Sequence, residues 1–164
     1  MIGMPCSGKS TVSKIIASRL GYGLLDVDEW IVAHEQVRVA ETIKNKGVDY
    51  VLALDEQCVR EHDLRNLVVS TPGCAVYTSN YEKLANETMI FYLETSLEDI
   101  RARLAYDPDN ERGVIGLSEK GIDNLYAERT PLYEEWAEYT IVCEGKDPQM
   151  ISEEITGVWA ASNS

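Results

Sequence analysis

The 164-residue sequence predicts an α/β fold, and two observations carry this prediction. Residues 3–10 read Gly-Met-Pro-Cys-Ser-Gly-Lys-Ser, which is a complete G-x-x-x-x-G-K-[ST] phosphate-binding loop, or P-loop. After it, short apolar segments of strand length alternate with segments of helical periodicity, as in a sheet covered by helices. A chain of this length suffices for one domain, so we expect residues 1–164 to form a single domain with one functional site.

The periodicity places the elements in order. Apolar side chains recur at helical spacing in residues 9–20, and Gly21 is a typical stop. Short apolar runs predict strands at 23–26, 67–70, 89–93 and 139–143. Further helices are predicted at 29–36, 39–46, 48–62, 80–86, from 97 onward, at about 118–136 and at 148–159.

The segment before the P-loop is short. A P-loop normally follows a buried strand of several apolar residues, but only Met1 and Ile2 precede Gly3. We expect either that the natural start lies upstream or that the first strand is shortened, and the residues leave both possibilities open.

Composition limits the function classes. Fifteen basic against 28 acidic residues give a formal net charge of −13, which opposes binding to nucleic acid or to an anionic membrane. The sequence has no apolar run of membrane-spanning length and no signal-peptide pattern, so we expect a cytoplasmic protein that acts on a small molecule, with a monomer as the default. The four cysteines form no C-x-x-C pair and are not spaced with the histidines as zinc ligands, so we expect reduced thiols.

The P-loop predicts nucleotide binding. Its glycines let successive backbone N–H groups point into one concavity at the start of the next helix, where an anion is stabilised. Lys9 is expected to reach the β- and γ-phosphates, and the Ser10 hydroxyl to ligate Mg²⁺. The expected nucleotide-binding residues in this segment are Gly3, Pro5, Cys6, Ser7, Gly8, Lys9, Ser10 and Thr11.

Two aspartates follow the predicted strand 23–26, whose carboxyl end faces the P-loop. Asp26 is a candidate second ligand of the Mg²⁺ held by Ser10, directly or through water. Asp28 is placed to hydrogen-bond or deprotonate an acceptor hydroxyl. The alternative for either aspartate is a cap on the following helix.

Two arginines are candidates for binding anions. Arg112 lies in a polar, turn-rich segment at 107–113, which we interpret as a mobile lid at about 106–117 that closes over bound nucleotide and brings Arg112 to the γ-phosphate. Arg129 has apolar neighbours, a context suited to a bidentate grip on a carboxylate or phosphate. The alternatives are a solvated charge for Arg112 and a structural ion pair for Arg129.

With these motifs in order, the chain resembles the shikimate kinase family nearly from end to end. The P-loop is shared with many families, but two other segments are more specific. LDVDEWI at residues 25–31 resembles the family's D-x-D segment, and ERTPLY at residues 128–133 resembles its R-x-P-L-Y motif.

The resemblance implies a fold like that of nucleoside monophosphate kinases, with a five-stranded parallel sheet in the order 2-3-1-4-5, flanking helices and a lid that closes on ATP. It implies ATP- and Mg²⁺-dependent phosphorylation of a hydroxyl on a small metabolite, foremost shikimate. The roles it implies are Mg²⁺ binding for Asp26, contact with the acceptor hydroxyls for Asp28, carboxylate binding for Arg129, γ-phosphate contact for Arg112 and a position near the adenine-stacking arginine for Arg103.

Two departures from the family pattern fall on the acceptor site. The family's second carboxylate-binding arginine follows a K-G-E-x-x-F run, but here the corresponding residues 46–51 are followed by Leu52. The family's G-G-G loop is Pro72-Gly73-Cys74, which leaves Gly73 as the expected acceptor contact.

These departures keep two alternatives open. The protein phosphorylates a different small hydroxylated acceptor, or it is a nucleotide-binding relative that has lost catalysis. Retention of Lys9, Ser10, Asp26 and Asp28 argues against the second alternative.

Overall fold

The computed structural model describes residues 1–107, 110 and 113–162. Within these ranges the strands are β1 (Gly23–Asp26), β2 (Leu67–Ser70), β3 (Phe91–Glu94) and β4 (Tyr139–Val142). The helices are α1 (Lys9–Leu20), α2 (Val27–Glu35), α3 (Val39–Lys46), α4 (Val48–Glu61), α5 (Tyr81–Glu87), α6 (Leu97–Leu104), α7 (Leu117–Trp136) and α8 (Pro148–Ser162), with a 3₁₀ turn at Ala75–Tyr77. The predicted α/β alternation is confirmed.

The strands form two parallel pairs, β1 with β2 and β3 with β4. Residues 1 and 2 lie between these pairs and bond to both. The Met1 amine donates to Val69 O at 2.7 Å, and the Ile2 N–H donates to Phe91 O at 2.9 Å. Two residues are too short to form a full ladder of strand hydrogen bonds. The described chain therefore has two two-stranded sheets joined at residues 1 and 2, whereas the sequence predicted one five-stranded sheet.

Helices cover both faces of the strands, because neighbouring side chains on a strand point to opposite faces. On β3, Phe91 and Leu93 pack with Val12 of α1 and Ile155 of α8. Tyr92, between them, faces the other core, which contains side chains from α2, α4 and α7. No helix of the described residues is long and apolar enough to cross a membrane.

Some element boundaries differ from the predictions. β3 begins at Phe91, because the carbonyl of Ile90 accepts from the N–H groups of Glu138 and Tyr139 just before the strand pairing starts. The long helix α7 is interrupted at Gly121, where φ is 73° and ψ is 161°. This left-handed φ favours glycine and breaks the helical path.

The parallel strands end at one common edge of the fold. The P-loop follows Ile2 there, Asp26 ends β1, and the turn at residues 71–74 follows β2. Ligands bind at this edge in open α/β sheets, so the topology brings the predicted site residues to one place.

Candidate active site

A cleft of about 520 Å³ opens at the carboxyl edge of the strands. Its walls come from the P-loop, α2, α4, the turn after β2, residues 113–115 and α7. The sequence-predicted residues that line it are Pro5, Cys6, Ser7, Gly8, Lys9, Ser10, Thr11, Asp28, Gly73, Arg103 and Arg129. Gly3 and Asp26 lie behind this lining, and Arg112 lies outside the described residues.

The P-loop backbone bends sharply at its base and at its tip. Gly3 and Gly8 have φ of 143° and 95°, and Cys6 has φ of 64°, a conformation that a non-glycine residue seldom adopts. A Cβ on Gly3 would lie 2.9 Å from Leu93 O, so this glycine lets the loop press against β3. Such strain commonly concentrates at ligand-binding loops.

Lys9 is folded back on the loop that it belongs to. Its buried Nζ donates to Gly3 O at 2.8 Å and to Met4 O at 2.7 Å, with Ser7 Oγ at 3.4 Å. Burial lowers the pKa of Lys9 to about 8, and the nearby Asp28 carboxylate opposes this shift. The ammonium group therefore sits in the loop with its three donors directed at the loop's own oxygens.

The two aspartates after β1 have different surroundings. Asp26 is buried and caps α2, since its Oδ1 accepts from the Glu29 N–H at 3.3 Å, whereas its Oδ2 has no partner among the described residues. The helix-cap alternative thus accounts for one oxygen only. Asp28 is open to water through the cleft. Desolvation by the surrounding protein, followed by the charge of Asp26, raises its pKa to about 6, and the charge of Lys9 opposes this shift.

Arg129 is held inside the fold with only 1 % of its surface exposed. Its Nε donates to Tyr77 Oη at 3.1 Å and its Nη2 donates to Ile115 O at 2.7 Å. The guanidinium also lies over the Tyr77 ring, 5.0 Å from the ring centre. In the described part of the chain its partners are therefore a hydroxyl, a carbonyl and a ring, not the carboxylate of a structural ion pair.

Gly73 joins the P-loop to this arginine. A Cβ at this position would lie 2.7 Å from Pro5 Cδ and 3.5 Å from Arg129 Nη1. Its carbonyl accepts from Tyr133 Oη at 2.5 Å, which ties the turn after β2 to α7. The cleft thus places a phosphate-binding loop beside a carboxylate and a buried guanidinium.

The family model described as Shikimate kinase matches residues 5–159. The chain belongs to the shikimate kinase family. Members of this family are ATP-dependent kinases with a hydroxyl acceptor, and the family assignment and the activity class expected from the sequence are confirmed.

Individual shikimate kinases show how far the similarity extends. The chain is 32 % identical to shikimate kinase of Persephonella marina over 159 residues, which are 96 % of this chain and 95 % of that protein. It is 30 % identical to the enzyme of Clostridium botulinum strain Loch Maree over 146 residues, 87 % of this chain and 85 % of that protein.

Solved structures agree with this assignment. Shikimate kinase from Acinetobacter baumannii in complex with shikimate has a TM-score of 0.88 and 25 % identity, with 98 % of this chain and 91 % of that chain covered. A deoxyadenosine kinase from M. mycoides, at a TM-score of 0.66 and 18 % identity, covers 98 % of this chain and 97 % of its own, and it shares the fold alone.

The cleft also contains one residue that the family resemblance indicated, Arg103, and two that no motif indicated, Lys146 and Pro148. Arg103 donates through Nη1 to Cys6 O at 3.0 Å, which fixes it against the P-loop. Lys146 and Pro148 line the cleft on the same side and were missed, because a lysine and a proline at the start of α8 carry no motif of their own.

Asp55 is the other residue that sequence reasoning missed. It lines the cleft from α4, is fully buried, and accepts from Asn80 Nδ2 at 2.9 Å through Oδ1. Burial, and then the charges of Asp28 and Glu56, raise the pKa of Asp55 to about 8, although the Asn80 hydrogen bond opposes this. The sequence shows only an acidic residue within a predicted helix, which does not reveal that this residue is buried.

The acceptor end departs from the shikimate kinase pattern as the sequence indicated. Leu52 is half-buried on α4, one turn before Asp55, at the position of the expected second arginine. Among the described residues that line the cleft, the cations are Lys9, Arg103, Arg129 and Lys146.

The described part of the predicted lid segment packs against the body of the protein. Gly113 approaches α3 so closely that a Cβ there would lie 2.6 Å from Ala40 N. The Asn110 side chain accepts from the Val114 N–H at 2.8 Å. Together with the bond from Arg129 to Ile115 O, these contacts close the cleft on the α3 side.

Gly73→Ala tests the junction between the P-loop and the turn after β2. The new methyl group overlaps Pro5, so we expect the free energy of unfolding to fall by about 1–3 kcal/mol, the usual cost of overpacking. Weaker ATP binding should accompany it. Chemical denaturation and calorimetric titration with Mg–ATP measure the two effects.

Gly157→Ala is the matched control, because a Cβ at that helical position meets nothing within 4 Å. We expect it to leave ATP binding unchanged. Equal behaviour of the two variants would contradict the close approach at Gly73.

Proposed function

We propose that this protein transfers the γ-phosphoryl group of ATP to a hydroxyl group of shikimate. The observation that carries the proposal is that one cleft is lined both by Lys9 of the P-loop and by Asp28, Gly73 and Arg129. A phosphoryl donor and a small hydroxylated acid would meet between them.

At the nucleotide end, residues Gly3 to Thr11 would surround the phosphates with backbone N–H groups. Lys9 would exchange the carbonyl oxygens of Gly3 and Met4 for β- and γ-phosphate oxygens. Arg103, already bonded to the P-loop, is assigned to the nucleobase end together with Lys146 and Pro148. Arg112 is assigned to the γ-phosphate by the family resemblance.

The donor set suits Mg²⁺. Asp26 offers a buried carboxylate oxygen without a protein partner, and Ser10 offers a hydroxyl on the first turn of α1. The described residues contain no cluster of three or more His, Cys, Asp or Glu side chains, so water and phosphate oxygens would complete the coordination, as Mg²⁺ prefers. An ion held by Asp26 and Ser10 would supply positive charge next to the phosphoryl oxygens.

At the acceptor end, Asp28 is assigned as the general base. With a pKa of about 6 it is largely ionised at neutral pH, and it can accept the proton of an acceptor hydroxyl. Arg129 is assigned to the acceptor carboxylate. Its Nη1 lies beside Gly73 and would bind one carboxylate oxygen, and its Nη2 would bind the other after releasing Ile115 O.

The proposal includes the arrangement of the chain. Residues 1–164 form one kinase domain with a lid at about 106–117. Residues 1 and 2 take the place of the first strand in a sheet of order 2-3-1-4-5, supported by their bonds to Val69 and Phe91. We further propose a cytoplasmic monomer without nucleic acid or membrane partners, which the charge of −13 supports.

A second candidate function is phosphorylation of a different small hydroxylated acceptor. It is favoured by one observation, the apolar Leu52 at the position of the expected arginine. A non-catalytic nucleotide binder is disfavoured, because the P-loop, Asp26 and Asp28 are all present.

Lys9→Ala tests the assignment of the P-loop lysine. In an assay that couples ADP release to turnover of shikimate with Mg–ATP, we expect kcat to fall by at least about a hundredfold, since a charged donor to the transferring phosphoryl group is lost. Lys14→Ala is the control, because Lys14 is an exposed lysine of the same helix that pairs with Glu29. Unchanged kcat in the Lys9 variant would contradict the assignment.

Leu52→Arg tests whether the acceptor clamp lacks one arm. One end of a charged clamp is typically worth about 2 kcal/mol or more, so we expect KM for shikimate to fall at least about tenfold. KM for ATP should stay unchanged, and Leu52→Met serves as the uncharged control. No difference between the two variants would mean that other groups already bind the acceptor carboxylate.

A further inference from the structure

Asp55 has a carboxyl oxygen that the protein does not use. The side chain lies on the floor of the cleft on the acceptor side, and its Oδ1 accepts from Asn80. Its Oδ2 is buried and has no hydrogen-bond partner among the described residues. Leaving a buried polar atom unpaired is costly, so such an atom calls for an explanation.

Among the described residues, no lysine or arginine hydrogen-bonds to this carboxyl group or is one of the charges that shift its pKa. Asp28 on α2 and Glu56 on α4 both disfavour its ionisation, and the amide of Asn80 is its one described hydrogen-bond donor. Cys58 and Cys74 are also close enough to interact, and their pKa values are raised to about 12, so both are neutral thiols. Leu52, one turn away on α4, supplies no charge.

A carboxyl group in these surroundings keeps its proton at neutral pH. A neutral carboxyl group has one O–H donor, which an ionised one lacks. Because Oδ1 already accepts from Asn80, the free Oδ2 is the oxygen that can carry this proton. The floor of the acceptor side thus holds a hydrogen-bond donor without an acceptor.

We propose that Asp55 is a further acceptor-binding residue, which in its protonated form donates a hydrogen bond from Oδ2 to an oxygen of the bound acceptor. The inference rests on the proposed function. Oδ2 is buried in the described conformation, so the bond requires that binding of the acceptor exposes this oxygen to the cleft. Leu52 and the protonated Asp55 then form an uncharged surface at the place where the family pattern has its second arginine.

The test compares Asp55→Asn with Asp55→Leu in the shikimate-dependent assay. Asparagine keeps a neutral donor and the acceptor for Asn80, so we expect KM for shikimate within about threefold of the parent value. Leucine removes the donor, and we expect KM for shikimate to rise about tenfold, with KM for ATP unchanged. Glu61→Gln, an exposed carboxylate of the same helix that accepts from Gln57 Nε2 and does not line the cleft, is the matched control.

A pH profile separates binding from a structural role. When the pH rises through about 8, Asp55 loses its proton and its donor, so kcat/KM for shikimate should fall in the parent protein. Lys9 has a pKa of about 8 and loses its proton in the same pH range in every variant. The readout is therefore kcat/KM of Asp55→Asn divided by kcat/KM of the parent protein at each pH, since the effect of Lys9 cancels in this ratio. We expect this ratio to favour Asp55→Asn progressively above pH 8.

The outcomes are distinct. Parallel pH profiles with unchanged KM in every variant that folds would overturn the role of Asp55 alone. If Asp55→Leu does not fold, the profile of Asp55→Asn decides. An absence of shikimate turnover by the parent protein, while ATP still binds, would overturn the proposed function and this inference with it.

Discussion

The position of every site residue depends on the two-residue connection at Met1 and Ile2. Their backbone groups bond to β2 on one side and to β3 on the other, so they hold two separate parallel pairs in register. The P-loop starts at the next residue, where Gly3 touches the backbone of β3. Without this connection, the acceptor turn after β2 and the nucleotide side beyond β3 would not share one cleft.

The groups that attract anions to the cleft are local, because the protein as a whole is strongly acidic. The protein carries a net charge of −13, yet its proposed ligands are anions. Backbone N–H groups and the start of α1 provide a field that needs no side-chain charge. Lys9 and Arg129 are both buried and are held by carbonyl or hydroxyl oxygens, which orients them without cancelling their charge. An arriving phosphate or carboxylate therefore meets cations that have no ion pair among the described residues, although Asp28 lies close enough to Lys9 to favour its charged form.

Local patterns predicted the helices, the strands and the residues of the P-loop, because periodicity and motif spacing are properties of neighbouring residues. The same reasoning could not predict the break at Gly121, which depends on the path of the chain, or the bond from Arg129 to Ile115 O. Asp55 was missed for a related reason. Its burial beside Asp28 arises from the packing of α4 against α2, and a single acidic residue in a helix gives no hint of it. Asp26 illustrates the intermediate case. The predicted helix cap is present at Oδ1, whereas the Mg²⁺ role, for which Oδ2 has no competing partner among the described residues, stays a prediction.

The central claim is that one cleft joins an ATP-binding loop to a shikimate-binding surface that has kept one arginine. ³¹P nuclear magnetic resonance of the purified protein with Mg–ATP and shikimate tests it most directly, because the spectrum identifies the phosphorylated product as well as ADP. The account predicts a new phosphate monoester signal that grows in proportion to ADP and depends on shikimate. ADP formed with inorganic phosphate alone, at a rate that shikimate does not change, would contradict it.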